Sequence, residues 1–166
     1  MPSSSDRIEP GPNQESVWDY PRPPAVEPAA QRVRVVFHNT TLADSTDAQR
    51  VLETSHPPVY YVPPKDIAFE HLEREQRTSM CEFKGRAVYY TVTVGNRSVR
   101  GAAWAYPSPT TRYAVLQDHV AFYPSKMDAC FVGTEQVRAQ EGDFYGGWIT
   151  DDIVGPFKGG PGTLGW

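Results

Sequence analysis

Along Arg86–Val94 the side chains sort by parity. Arg86, Val88, Tyr90, Val92 and Val94 fall on one side, and Ala87, Tyr89, Thr91 and Thr93 on the other. A two-residue period is that of a strand with two unlike faces. Gly95 and Asn96 interrupt the run, and Arg97–Trp104 resumes it. Both interrupting residues tolerate positive φ, so the pattern predicts a β-hairpin with a tight turn. Cys81, Lys84, Trp104 and Tyr106 lie at its ends. Upstream, Val33, Val35 and Phe37 alternate with Arg32, Arg34 and Val36, predicting a strand over 32–37. His38-Asn39-Thr40 turns it into a short return strand at Leu42–Asp44. Val59–Val62, aromatic and β-branched between two Pro-Pro pairs, predicts a further strand.

Elsewhere the pattern is helical or irregular. Ala48, Val51 and Leu52 have helical spacing, so a short helix is expected over Thr46–Glu53, capped by Ser45 or Thr46. A second short helix is expected over Thr111–Leu116, capped by Thr110, with Ala114 and Val115 facing the sheet. The charged stretch Ile67–Gln76, anchored by Ile67, Phe69 and Leu72, predicts one or two irregular turns. His119–Tyr123 and Asp128–Val132 are expected to pair as a hairpin about Pro124–Met127. Hairpins interrupted by one or two short helices make the fold class mainly β, a small antiparallel domain.

The two ends have a different texture. Residues 1–31 carry seven of the sixteen prolines and no apolar periodicity, which predicts an extended or partly disordered arm. Trp18 and Tyr20 are costly to leave in water, so 16–24 should lie against the domain; a polyproline ligand is the alternative. From Gln140 onward come eight of the thirteen glycines, with Phe144, Tyr145, Trp148, Phe157 and Trp166 between them. Such sequence cannot hold a helix, but its rings can anchor a loop. Both ends are expected to pack on one surface. The resulting organisation is an arm over 1–31, a domain over 32–138 and an extension over 139–166.

Composition narrows the partners. The 166 residues carry a net charge of −4, and the arginines are scattered, which disfavours nucleic acid. Cys81 and Cys130 form no CxxC pair, so neither a zinc site nor a disulfide framework is indicated. There is no apolar leader segment and no run approaching the roughly 20 apolar residues of a membrane span, so a soluble, cytoplasmic protein is expected.

The run Thr78-x-x-Cys81-x-x-Lys84-Gly85-x-Ala87, then Tyr89-Tyr90, Ala102-Ala103-Trp104-x-Tyr106-Pro107-x-Pro109 and Val120-Ala121-Phe122, resembles the family called domain of unknown function 427, sometimes labelled nucleotidyltransferase. The resemblance covers about 32–138, and the two ends resemble the extensions of a longer subgroup. It implies a small β-tent, similar to methionine sulfoxide reductase B and the drug-binding domain of cereblon, without the paired zinc cysteines of those relatives. It further implies roles for Glu53, for Tyr61 and Pro63 of a Tyr-x-Pro motif, and for Cys81–Gly85. There the family has Cys-Pro-Trp-Lys-Gly, and this chain has Glu82 and Phe83 at the second and third positions.

Several side chains are candidates for chemistry. Lys84, if buried beside rings, would be a proton carrier or nucleophile; otherwise it is an edge lysine paired with Glu82 or Glu53. Glu53, expected at a helix carboxyl end, needs a compensating cation or donor there, and Lys84 is the candidate. Cys81 and Lys84 would point to opposite faces of a flat strand, so Cys81 is expected to be an inert buried thiol unless a bulge intervenes. Cys130 is expected in the core. Trp104 and Tyr106 share a parity and suit a pocket wall, with Tyr90 joining them as a hydroxyl donor. His56 and His119 are possible bases, but no histidine pair has metal spacing. These residues suggest a module that binds a small molecule between Trp104, Tyr106, Tyr90 and Lys84, with Glu53 fixing a polar group. The alternatives are an enzyme with Glu53 or Lys84 as general base, and an interaction domain using its aromatic ends. No cofactor or metal is expected, and a homodimer is possible.

Overall fold

The computed structural model describes residues 6–142 and 144–166. The chain is mainly β, built from several antiparallel sheets, as the alternation indicates. The largest sheet has the order Val120–Phe122, Arg97–Ala105, Gly85–Val94, Leu72–Cys81. The predicted hairpin forms its centre, turning at Gly95 (φ 59°) with Val94 opposite Arg97. A second four-stranded sheet runs Glu135–Gln136, Ala129–Val132, Val33–Phe37, Thr40–Ser45. Its turn at His38 and Asn39 places both residues at positive φ. A three-stranded sheet joins Ala25–Pro28, Gln49–Leu52 and Val59–Tyr61.

Period two decides what each face of the largest sheet meets. Val88, Val92, Ala103 and Ala105 point toward Val33, Val35, Phe37, Leu42 and Cys130 of the second sheet, forming the main core. Ala87, Trp104, Tyr106 and Ala121 point the other way, toward Val51 and Tyr61 of the three-stranded sheet. The sheet is therefore covered on both sides. Val62 and Val120 exchange backbone hydrogen bonds at 2.9 Å, tying the cover to its edge.

Four local expectations are corrected. The stretch read as a helix over Thr46–Glu53 is instead the strand Gln49–Leu52, because Val26 and Val59 flank Val51 as cross-strand partners. The spacing i, i+3, i+4 is helical, but Ala48, Val51 and Leu52 are buried in three different clusters rather than along one face. Ile67–Gln76 follows a 3-10 turn at Pro64–Asp66, contains one expected turn, Phe69–His71, and from Leu72 onward is part of the ten-residue strand Leu72–Cys81. That edge strand is largely exposed, so burial imposes no apolar alternation on it. Val120–Phe122 and Ala129–Val132 do not pair with each other. The first joins Ala103–Ala105 and the second joins Val33–Val36, with a turn at Pro124–Lys126 crossing between sheets. Thr111–Leu116 is 3-10 rather than α, and it buries Tyr113 and Leu116 while Val115 is exposed. The described helical segments are all 3-10 turns, and none is long and apolar enough to cross a membrane.

The ends meet. Glu15–Ser16 pairs in parallel with Ile153–Val154, the rings of Trp18 and Trp166 stand edge to face at 5.3 Å, and Trp18 Nε1 donates to the Pro156 carbonyl at 2.9 Å. Much of the arm is therefore ordered, down to the strand Ala25–Pro28; residues 1–5 lie outside the described residues. Trp148 goes deeper still. It is fully buried in the main core, its Nε1 donating to the Phe122 carbonyl at 3.1 Å and its ring 5.1 Å from that of Tyr60. Trp148→Ala should cost about 3–5 kcal/mol of stability in urea unfolding. Phe144→Ala, at a ring 81% exposed, should change stability by no more than about 0.5 kcal/mol.

Candidate functional site

The cover over the second face of the large sheet is incomplete. Between that face, the three-stranded sheet and the C-terminal segment lies a cavity of about 390 Å³. Register builds its ring-lined side: Tyr89 sits opposite Trp104, so both project into the gap together with Tyr106. Trp104 Nε1 donates to the Tyr61 hydroxyl at 3.2 Å, and the two rings stand edge to face at 6.1 Å. Tyr123 lies against the other side of the indole, with centroids 4.5 Å apart. Burial raises the Tyr61 and Tyr106 hydroxyls well above the usual range and pushes Tyr123 up to about 12, so all three hold their protons at neutral pH.

Lys84 reaches the cavity from a turn, not from a strand. Glu82, Phe83 and Lys84 connect Cys81 to Gly85, which pair across the hairpin end. Gly85 has φ 106°, a conformation that glycine adopts without a Cβ clash. The turn is clamped from outside: Thr110 N donates to the Lys84 carbonyl at 3.1 Å, and Thr110 Oγ1 donates to the Phe83 carbonyl at 2.6 Å. Curling back in this way brings both Cys81 and Lys84 to the cavity wall. Lys84 is only 8% exposed. Among the described residues its ammonium has no carboxylate within 4.0 Å and no hydrogen-bond acceptor, and its one close partner is the Tyr106 ring face at 5.9 Å.

Glu53 follows a strand rather than ending a helix, and it does not pair with Lys84. Its Oε2 lies 3.4 Å from Arg22 Nε and 3.9 Å from His56 Nε2. Buried Gln140 orients the imidazole. Its Oε1 accepts from Gly147 N at 3.2 Å and its Nε2 donates to the Lys158 carbonyl at 2.6 Å, which leaves Nε2 as the donor to His56 Nδ1 at 3.2 Å. Nδ1 must then carry the lone pair, so the ring proton sits on Nε2, toward Glu53. Burial lowers the His56 pKa to about 4; Glu53 opposes the shift, while Lys158, Arg22 and Lys84 add to it.

The remaining wall comes from the C-terminal segment: Gln140, Phe144, Tyr145, Gly146 and Lys158. The approach is close. A Cβ on Gly146 would lie 2.3 Å from Trp104 Cη2, so this backbone passes the indole only as glycine. Tyr145 lies 5.3 Å from the His56 ring and 5.8 Å from the Lys158 ammonium.

The cavity thus gathers Glu53, Tyr61, Cys81, Lys84, Trp104 and Tyr106 from the candidates, and His56 with them. It does not gather Tyr90, which faces the main core and packs against Phe69 at 6.4 Å. His119 stays outside, its Nδ1 3.0 Å from the Gln117 carbonyl. Cys130 is in the core, where burial pushes its thiol far up. Sequence reasoning missed Tyr89, Gln140 and Lys158. The parity of the central hairpin held the signal for Tyr89, and nothing local marks the other two. Among the described residues no group of three His, Cys, Asp or Glu side chains is placed to hold a metal ion.

The neutral His56 makes stability depend on pH. Above about pH 6.5 the imidazole is neutral in both folded and unfolded chains. Between there and about pH 4 only the unfolded chain takes up the proton, so stability falls as pH falls, by roughly 3 kcal/mol in all. His56→Asn should flatten that part of the urea-midpoint profile. The ring carbon signals of His56 in NMR should not titrate above pH 5.

No curated protein matches the chain. The model of one family, described as a domain of unknown function (DUF427), matches residues 25–133. That span takes in the three-stranded sheet, the large sheet and most of the second sheet, and it stops before the segment that closes the cavity. On that match, which covers well over half of its length, the chain belongs to the DUF427 family.

Proposed function

We propose that this chain is a small-molecule-binding domain and that the cavity over Trp104 is its binding site. The observation that carries this is the convergence of rings from three separate parts of the chain, Tyr61, Trp104 with Tyr106, and Tyr145, around a few polar groups. Pockets of some 300–1,000 Å³ with apolar walls and sparse, fixed polar atoms are the usual form of such sites. Glu53, held by Arg22, and the Nε2 proton of His56 are positioned to fix a ligand's polar edge. The interaction-domain alternative has less support, because Trp18, Tyr20, Trp148, Phe157 and Trp166 are packed within the chain itself.

An enzyme using the same cavity is the second possibility, favoured by a carboxylate, Glu53, that can act as general base with the Nε2 donor of neutral His56 beside it. Native mass spectrometry of gently purified protein should find a retained compound. In a metabolite screen, a ligand at about 100 times its Kd stabilises by roughly 2.7 kcal/mol, which raises the melting midpoint by about 5–10 °C. Trp104→Leu should abolish that shift. Glu53→Gln should weaken retention modestly if the site only binds, and should collapse turnover while sparing binding if it catalyses. The absence of both a retained compound and any thermal shift would overturn the proposal.

A further inference from the structure

The charges around the cavity are unbalanced. Its wall carries Lys84 and Lys158 against one carboxylate, Glu53, and that carboxylate already has Arg22 within 3.4 Å. His56 adds a hydrogen-bond donor and no negative charge, since its lone pair is taken by Gln140. Lys158 is held weakly, by a 3.3 Å hydrogen bond to the Trp166 main-chain oxygen and by the Tyr145 ring at 5.8 Å. Lys84 is the more telling of the two, because its side chain is largely buried while its ammonium, at the cavity wall, has no acceptor among the described residues and only the Tyr106 ring face beside it.

We infer that the ligand is a flat organic anion, its carboxylate or phosphate met by Lys84 and Lys158 and its unsaturated body set against Trp104, Tyr89 and Tyr145. This deepens the binding proposal and rests on it. The geometry assigns each part of the ligand a place. The half-buried rings of Tyr89 and Tyr145 line the cavity beside Trp104 and offer faces against which a planar body can lie. Lys84 projects into the same space from its clamped turn, so its position is set before any ligand arrives. Lys158 joins the cavity wall from the segment that lies beyond the family-wide domain. Both ammonium groups stand near enough to His56 to oppose its protonation, against the pull of Glu53. The hydrogen-bond donor on His56 Nε2 suits an anion's second oxygen.

The test is calorimetric titration of the full chain with benzoate, indole-3-carboxylate, 2-naphthoate and phenyl phosphate, and with the primary carboxamides of the three acids. At least one anion should bind at least about tenfold more tightly than its neutral amide. Lys84→Met should erase that preference and Lys158→Gln should reduce it; whether carboxylates or the phosphate win separates the two headgroups. With no ligand present, Lys84→Met should melt no lower than the parent chain, because it removes an ammonium that has no acceptor among the described residues and keeps a side chain of similar length. A lysine kept for structure would give the opposite result. Amides that bind as well as acids would overturn the anion assignment and leave the binding proposal standing, as would a neutral compound retained in native mass spectrometry. A preference for acids that survives Lys84→Met would overturn the role of that lysine. If no probe binds and no compound is retained, the binding proposal falls and the anion falls with it.

Discussion

The strand Arg97–Ala105 carries apolar side chains on both of its faces, and that constraint shapes the molecule. Ala103 and Ala105 look toward one set of partners, Trp104 and Tyr106 toward another. A sheet with two apolar faces must be covered twice. The small residues permit a close, solid cover by the second sheet, and the main core results. The large rings hold the opposite cover at a distance. Three short strands and a glycine-rich segment bridge that gap only in part, and the cavity is the part they leave.

Its polar groups form a chain of consequence rather than a scatter. Gly147 and the Lys158 carbonyl decide which way Gln140 points; Gln140 decides which nitrogen of His56 is protonated; that proton faces Glu53, which Arg22 holds from outside. Gln140 is fully engaged in this relay, while the His56 Nε2 proton faces Glu53 across 3.9 Å, beyond hydrogen-bond reach. Lys84 stands apart from the relay, on a turn whose backbone is fully engaged and whose side chain is not.

The legibility of the sequence followed burial. Strands with one face in the core, Val33–Phe37 and Gly85–Val94, showed period two because packing punished any other pattern. Leu72–Cys81, exposed along most of its length, was under no such pressure and read as irregular. Gln49–Leu52 was too short to distinguish the helical period from the strand period. Within the site, placing Tyr90 beside Trp104 was a parity error that the hairpin itself could have caught. With Val94 opposite Arg97, an even-numbered residue faces an odd-numbered one, which selects Tyr89; the bulge between Tyr90 and Val92 shifts the register by two and preserves that parity. Gln140 and Lys158 were illegible for another reason. They reach the cavity across more than 80 and more than 70 residues of sequence from His56 and Lys84, respectively, and no local pattern encodes a contact of that span.

The segment after the family-wide domain is therefore part of the site's construction. It supplies one wall, one of the two cations and the residue that fixes the His56 tautomer. It also places Trp148 in the main core, so that the wall cannot move away without opening the fold beneath it. Gly146 lets its backbone lie against the indole, a contact that any side chain would push apart. A domain built from residues 25–133 alone would keep the hairpin, Trp104 and Lys84, but its ring-lined face would be open to solvent. Closure lowers the local dielectric and would strengthen the hold of an ammonium on that face upon the anion inferred above. Members of the family that share the central hairpin but end differently would thus present the same lysine in a different electrostatic setting, and selectivity would reside in the extension rather than in the shared fold.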